Sequence, residues 1–211
     1  MKKTIYPALI AAASLLGGIA AAAPATPMPV RGTITAVNGS TLAITEISGE
    51  NISVTLAPNA KVVDLLRSSL ANVKAGSYIG TAAIREPDGT YRALELQVFP
   101  NSMRGVGLGT RSWNLAPHSS MTNGTVGGLT SAGGTISTVN GSGDLTLTVN
   151  DGSGTKTVLV PATAPVVTYA PGTLADLQPG AHVIFFPAKS ANGTYVINRI
   201  NVGKDGLTPP M

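Results

Sequence analysis

The chain has 211 residues, with 14 Lys and Arg, 10 Asp and Glu, two His and no Cys; the missing Cys excludes disulfides, thiolate metal sites and a lipidated cysteine anchor. Lys2 and Lys3 carry half of the net charge of +4, and the near-even balance of the rest excludes nucleic-acid binding driven by charge. Charged residues are 11% of the chain, against ~25% in an ordinary globular domain, so Thr, Ser, Asn and Gly must cover the surface, as in an all-β protein.

Residues 1–22 read as a secretory signal peptide. Lys2 and Lys3 form the charged start, Ile5 to Ala20 is apolar, and Ala20-x-Ala22 suits cleavage after Ala22. The Ala-rich leader points to the periplasm. No later stretch approaches the ~20 apolar residues of a membrane-spanning helix. Residues 23–29 form a Pro-rich lead-in.

Strand signals begin at Val30. VRGTITAV runs into Asn38-Gly39, a strong hairpin signal. TLAIT and NISVTLA follow, with Leu42 and Ile44, then Ile52, Val54 and Leu56, facing inward. Pro58 is expected to end this ladder. Asp64 then caps a short helix in which Leu66, Leu70 and Val73 fall at helical spacing, stopped by Gly76. SYIGTAAI and YRALELQVF supply two more strands, with Leu94, Leu96 and Val98 on one face. Three strands, a helical turn and two strands is the order of a small OB-type barrel.

The pattern then repeats. GTITAVNGSTLAIT from Gly32 matches GTISTVNGSGDLTLT from Gly134. LANVKAGSYI from Leu70 matches LADLQPGAHV from Leu174, and DGTYRALELQV from Asp88 matches NGTYVINRINV from Asn192. The expected architecture is all-β: two tandem OB-like five-stranded β-barrels, 30–100 and 131–203, with one short helical turn each. Residues 101–130 would be an aperiodic but ordered connector, and 204–211 a frayed C-terminal tail.

The repeat unit and the stretch Met103-Arg104-Gly105, Gly107, Gly109, Trp113, Leu115, Pro117, Met121-Thr122-Asn123 resemble a two-unit family of exported proteobacterial domains of unknown function. So does the tail from Val202 to Met211. The resemblance implies small β-barrels and no established activity. Leu108, Thr110 and Asn114 stand where that pattern has Glu, His and Asp, so any chemistry those groups carry in relatives is lost here.

The candidate chemistry lies in the connector. Arg104, Arg111 and Trp113 could grip an anionic or sugar ligand, through guanidinium forks and an indole face. Alternatively, Trp113 pins the connector between the barrels. Met103, His118 and Met121 are the nearest thing to a metal set, with ligand types suited to Cu(I). Two His and no Cys fall short of a zinc site. Gly105-x-Gly107-x-Gly109 lacks the spacing of a phosphate loop and reads as backbone that needs positive φ. His182 ends a core-facing row. Ser119 and Ser120 lack an oriented base, and the acidic residues are scattered apart from Glu86 and Asp88 in a turn. The functional expectation is a non-enzymatic periplasmic binding or interaction protein with an envelope protein or glycan as partner. Copper handling and carbohydrate binding are the alternatives.

Overall fold

The computed structural model describes residues 28–131, 134–136, 143–189 and 195–211. The expected signal peptide, residues 23–27 of the lead-in and the Asn140-Gly141 and Asn192-Gly193 turns lie outside them. The chain is all-β. Its only helical elements among the described residues are three-residue 3-10 turns at Leu70–Asn72, Asn101–Met103 and Leu174–Asp176.

The strands are β1 (Val30–Asn38), β2 (Thr41–Glu46), β3 (Asn51–Arg67), β4 (Tyr78–Arg85), β5 (Tyr91–Ala93), β6 (Leu96–Val98), β7 (Gly109–Ser112), β8 (Ser119–Ser131), β9 (Gly134–Ile136), β10 (Leu145–Asn150), β11 (Thr155–Val160), β12 (Val166–Pro171), β13 (His182–Phe185), β14 (Ala188–Lys189) and β15 (Tyr195–Gly203). The first hairpin turns on Gly39 and Ser40, between paired Asn38 and Thr41, one residue later than the sequence signal. Gly39 takes the positive φ of 60° that the tight turn requires.

β1, β2, β3, β15 and β13 close into a five-stranded barrel. The first repeat supplies β1 to β3 and the second supplies β13 and β15. Residues 30–100 therefore do not close on themselves. Period-2 alternation fills this barrel with Ile34, Leu42, Ile44, Val54, Val183, Phe185, Ile197, Ile200 and Val202. Five of the remaining strands are linked in a second circuit of pairings. β4 pairs with β8, β8 with β10, β10 with β11, β11 with β5 and β5 with β4. Around this second circuit β4 and β5 come from the first repeat, and β10 and β11 from the second. Its core holds Ile79, Leu96, Val126, Leu129, Leu145, Leu147, Val149, Val158 and Val160.

Three expectations need correction. Pro58 does not end a strand: β3 runs 17 residues through it. The β3–β15 register jumps between Ile197 and Arg199, from Leu56 to Lys61, so the missing Pro58 N–H falls where no partner is paired. Asp64 accordingly lies in a strand, not at a helix cap. Leu70 and Val73 still plug the second core, as expected, but from a 3-10 turn.

The connector is not aperiodic backbone. Its second half is β8, a 13-residue strand bonded to β4, β7, β9 and β10. Gly124, Gly127 and Gly128 dilute the alternation that would have revealed it. The tail is not frayed either. Leu207 and Met211 are buried at 5% and 3% exposure. Lys204 ties the segment down through Asp176, at 2.6 Å.

Candidate functional site

A third apolar cluster lies at the seam between the two cores. It contains Leu65, Ala82, Trp113, Met121, Val167, Ile184, Leu207 and Met211. Strand alternation builds it. Val183 and Phe185 point into the first barrel, so Ile184 points out of it. Leu96 points into the second core, so Glu95 and Gln97 face the seam. The β7–β8 hairpin folds Trp113 over this region. The Trp113 backbone N–H donates to Ser119 O at 2.9 Å, and the Ser119 hydroxyl lies 2.7 Å from Ala116 O and 3.1 Å from Trp113 O.

A cleft of about 180 Å³ opens in the seam. Phe99, Tyr169, Trp113, Met121 and Ile184 form apolar walls, and Val106 and Phe186 stand at a partly exposed rim. Phe99 stacks on Tyr169, with ring centroids 4.9 Å apart and planes at 17°. The polar side chains of the lining are Arg111, Arg199, Gln97, Asn123 and Asn201, with no Asp or Glu among them.

Arg111 lies 5.7 Å from the centre of the Trp113 ring and donates to Gly107 O at 2.9 Å. It has no anionic partner among the described residues, and burial pushes its pKa down. Arg31 also lies over the indole, at 5.9 Å. Trp113 is thus a buried platform for guanidinium groups, 7% exposed.

Behind the wall sits Glu95, fully buried. Its Oε1 accepts from the Ala82 N–H at 2.6 Å and from Gln97 Nε2 at 3.2 Å. Its Oε2 has no partner. Burial pushes its pKa up to about 8, against the hydrogen bonds from Ala82 and Gln97 and the charge of Arg31. Gln97 in turn accepts from the Tyr169 hydroxyl, and burial pushes the Tyr169 pKa up.

The structure gathers some of the sequence candidates and separates others. Arg111 and Trp113 share the cleft with Met103 and Met121. Arg104 does not line it. Its guanidinium donates to Gly76 O at 2.7 Å and lies over Tyr78, pinning the loop that precedes β7. His118 is exposed on the β7–β8 turn with φ of 60°, outside the cleft. The proposed three-residue metal set is therefore not assembled at one point. Gly105, Gly107 and Gly109 all have positive φ, which fits the backbone role read for them. Among the described residues there is no group of three or more His, Asp and Glu side chains able to hold a metal, and no helix is long and apolar enough to cross a membrane.

No family model, curated protein or solved structure matches the chain.

Sequence reading missed Gln97, Asn123, Tyr169 and Arg199. The signal for Gln97 was present: a Glu-x-Gln pair on the face opposite Leu94, Leu96 and Val98 is too polar for a strand buried on both sides. Tyr169 and Arg199 reach the cleft only because strands of the two repeats exchange, which no local pattern announces.

Proposed function

We propose that the chain is an exported, non-enzymatic binding protein whose seam cleft holds a small molecule with an anionic group and an apolar body. One observation carries this reading. Arg111 is a half-buried guanidinium beside aromatic and thioether walls with no Asp or Glu paired to it, and a desolvated cation of that kind favours an incoming anion. Arg199 adds a second positive charge, and the remaining walls are aromatic or thioether. These groups bind and orient; none forms a nucleophile–base pair.

The cationic wall works against Cu(I) between Met103 and Met121. The two arginines over Trp113 work against a sugar stacked on the indole. A partner in the envelope remains open on other faces. We read the fold itself as two OB-like barrels sharing strands. One circuit takes β1 to β3 and closes with β13 and β15 of the second repeat, the other takes β8, β10 and β11 and closes with β4 and β5 of the first, a five-stranded arrangement compatible with the OB type.

Trp113 is the only Trp, so its emission reports directly on the cleft. Titration with phenylacetate should change the emission of the wild type, while phenylethanol, which lacks the charge, should not. Arg111→Gln should abolish the response and Arg111→Lys should retain part of it. A response to both compounds alike, or one indifferent to Arg111→Gln, would overturn the proposal.

A further inference from the structure

The cleft carries more information than its charge. Among the described residues, two of the five buried side-chain polar atoms without a partner, Trp113 Nε1 and Asn123 Oδ1, belong to residues that line it. Trp113 is 7% exposed and Asn123 is 4% exposed, so water does not readily satisfy them. Buried polar atoms of a native protein are nearly always paired. One of these two is a donor and the other an acceptor.

The Asn123 amide cannot simply be turned over. Its Nδ2 donates to Val106 O at 3.0 Å, which leaves Oδ1 as the free atom. Oδ1 lies against the cleft walls. A Cβ placed on Gly80 would be 2.7 Å from Asn123 Oδ1, 3.0 Å from Phe99 Cε2 and 3.4 Å from Gln97 Oε1. The anion-binding group is close by. A Cβ placed on Gly107 would be 2.9 Å from Asn123 Nδ2 and 3.3 Å from Arg111 Nη2. The amide and the guanidinium thus meet beside one glycine.

A ligand that uses both must carry its anion and a hydrogen-bond donor on adjoining atoms. The donor must also be uncharged. Arg111 and Arg199 line the cleft with no Asp or Glu side chain beside them, and an ammonium group would meet two like charges. A hydroxyl satisfies Asn123 Oδ1 without that repulsion.

Building on the anion-binding reading above, we infer that the cleft selects 2-hydroxy acids with a single aromatic or branched apolar side chain. The carboxylate takes Arg111 and the Trp113 indole N–H. The 2-hydroxyl donates to Asn123 Oδ1. The side chain fills the space bounded by Phe99, Met121 and Ile184. The cleft, at about 180 Å³, is below the ~300 Å³ lower end of ordinary drug-sized pockets, which suits a one-ring ligand.

The test uses three probes of one skeleton on the intact chain: mandelate, phenylacetate and phenylglycine, measured by calorimetry and Trp113 emission. Mandelate should bind about tenfold or more tighter than phenylacetate, because a site built around a hydroxyl leaves its own polar atoms unpaired with the analogue that lacks one. Phenylglycine should bind more weakly than either. Asn123→Leu should weaken mandelate far more than phenylacetate and so erase the ratio between them; if that variant does not fold, the wild-type ranking decides. Equal binding of mandelate and phenylacetate, or a preference for phenylglycine, would overturn the 2-hydroxy acid assignment while leaving anion binding intact. Failure of all three to bind would overturn the anion-binding reading beneath it.

Discussion

Glu95 and Asp151 are both carboxyl groups shut away from water, at 0% and 2% exposure, and the protein treats them in opposite ways. Asp151 follows β10 in a tight turn. Its Oδ2 accepts from Lys156 Nζ at 2.5 Å and Thr110 Oγ1 at 2.7 Å, and its Oδ1 from the N–H and hydroxyl of Ser153 at 3.0 and 2.8 Å. Burial pushes its pKa up, but the hydrogen bonds from Lys156, Thr110 and Ser153 outweigh it and hold the group well below the usual carboxylate range. Glu95 has one backbone donor, one amide donor and one empty oxygen, and it holds a proton instead. The turn is completed from within the chain, both Asp151 oxygens matched by donors. The seam is left open at Glu95, Trp113, Asn123 and Arg31. A fold that can satisfy a buried carboxylate this fully in one place, yet leaves several polar atoms unpaired in another, marks the second place as the one that expects company.

Removing the satisfied carboxylate should have the largest effect. Asp151→Ala strips Lys156 and Thr110 of their shared partner and should cost about 3–5 kcal/mol in urea unfolding, as breaking a buried pair does. The pH dependence has a definite sign. The folded pKa is depressed, so the Asp151 contribution is present above the unfolded value near 4 and disappears as the pH falls toward the folded one. The variant should therefore lose less stability than the wild type on acidification below pH 4.

Glu95 should give the opposite slope. Its folded pKa is raised from 4.5 to about 8, so between those values the folded chain holds a proton that the unfolded chain has released. Stability is greatest below pH 4.5, falls as the pH rises, and levels off above 8. The melting temperature of the wild type should drop by on the order of 10 °C between pH 5 and pH 9. Glu95→Gln should be flat over the same range. A wild type that gains stability with rising pH would break the contrast between the two carboxyl groups.

Much of the scaffold was legible. Alternation placed Leu42, Ile44, Val54, Leu147, Val149 and Val158 in cores where they are found, because a period of two survives whichever strand lies alongside. Pairing did not survive inspection in this way. Nothing local in VINRINV says that it will run parallel to β3 of the other repeat, and the same ambiguity hid the seam. Trp113 was legible as a packing anchor, and Arg111 as its companion in the cleft. Their neighbours Asn123 and Tyr169 were not, since an Asn among Thr and Gly on β8, and a lone Tyr within β12, have no pattern of their own. Thr110 and Asn114, both in the central stretch, have structural roles. Thr110 donates to Asp151, and Asn114 accepts from Arg31 at 2.7 Å.

The smallest effects would sharpen the contrast most, because they remove one hydroxyl from each region. Thr110→Val keeps the shape of the side chain and deletes one of the donors around Asp151, which should cost about 1 kcal/mol. Lys156 and Ser153 remain, so the stability profile between pH 5 and pH 9 should keep its form. Tyr169→Phe deletes the hydroxyl that holds Gln97 by its Oε1. That bond is what points Gln97 Nε2 at Glu95. Once released, the Gln97 amide can turn and present Oε1 to the protonated Glu95 carboxyl, which favours the neutral form. Tyr169→Phe should therefore shift the midpoint of the Glu95-linked loss of stability to higher pH, a displacement readable in melting curves across pH 6–10 even where the change at pH 5 is small. The hydroxyl near Asp151 would then act on stability alone, and the one in the seam on a proton.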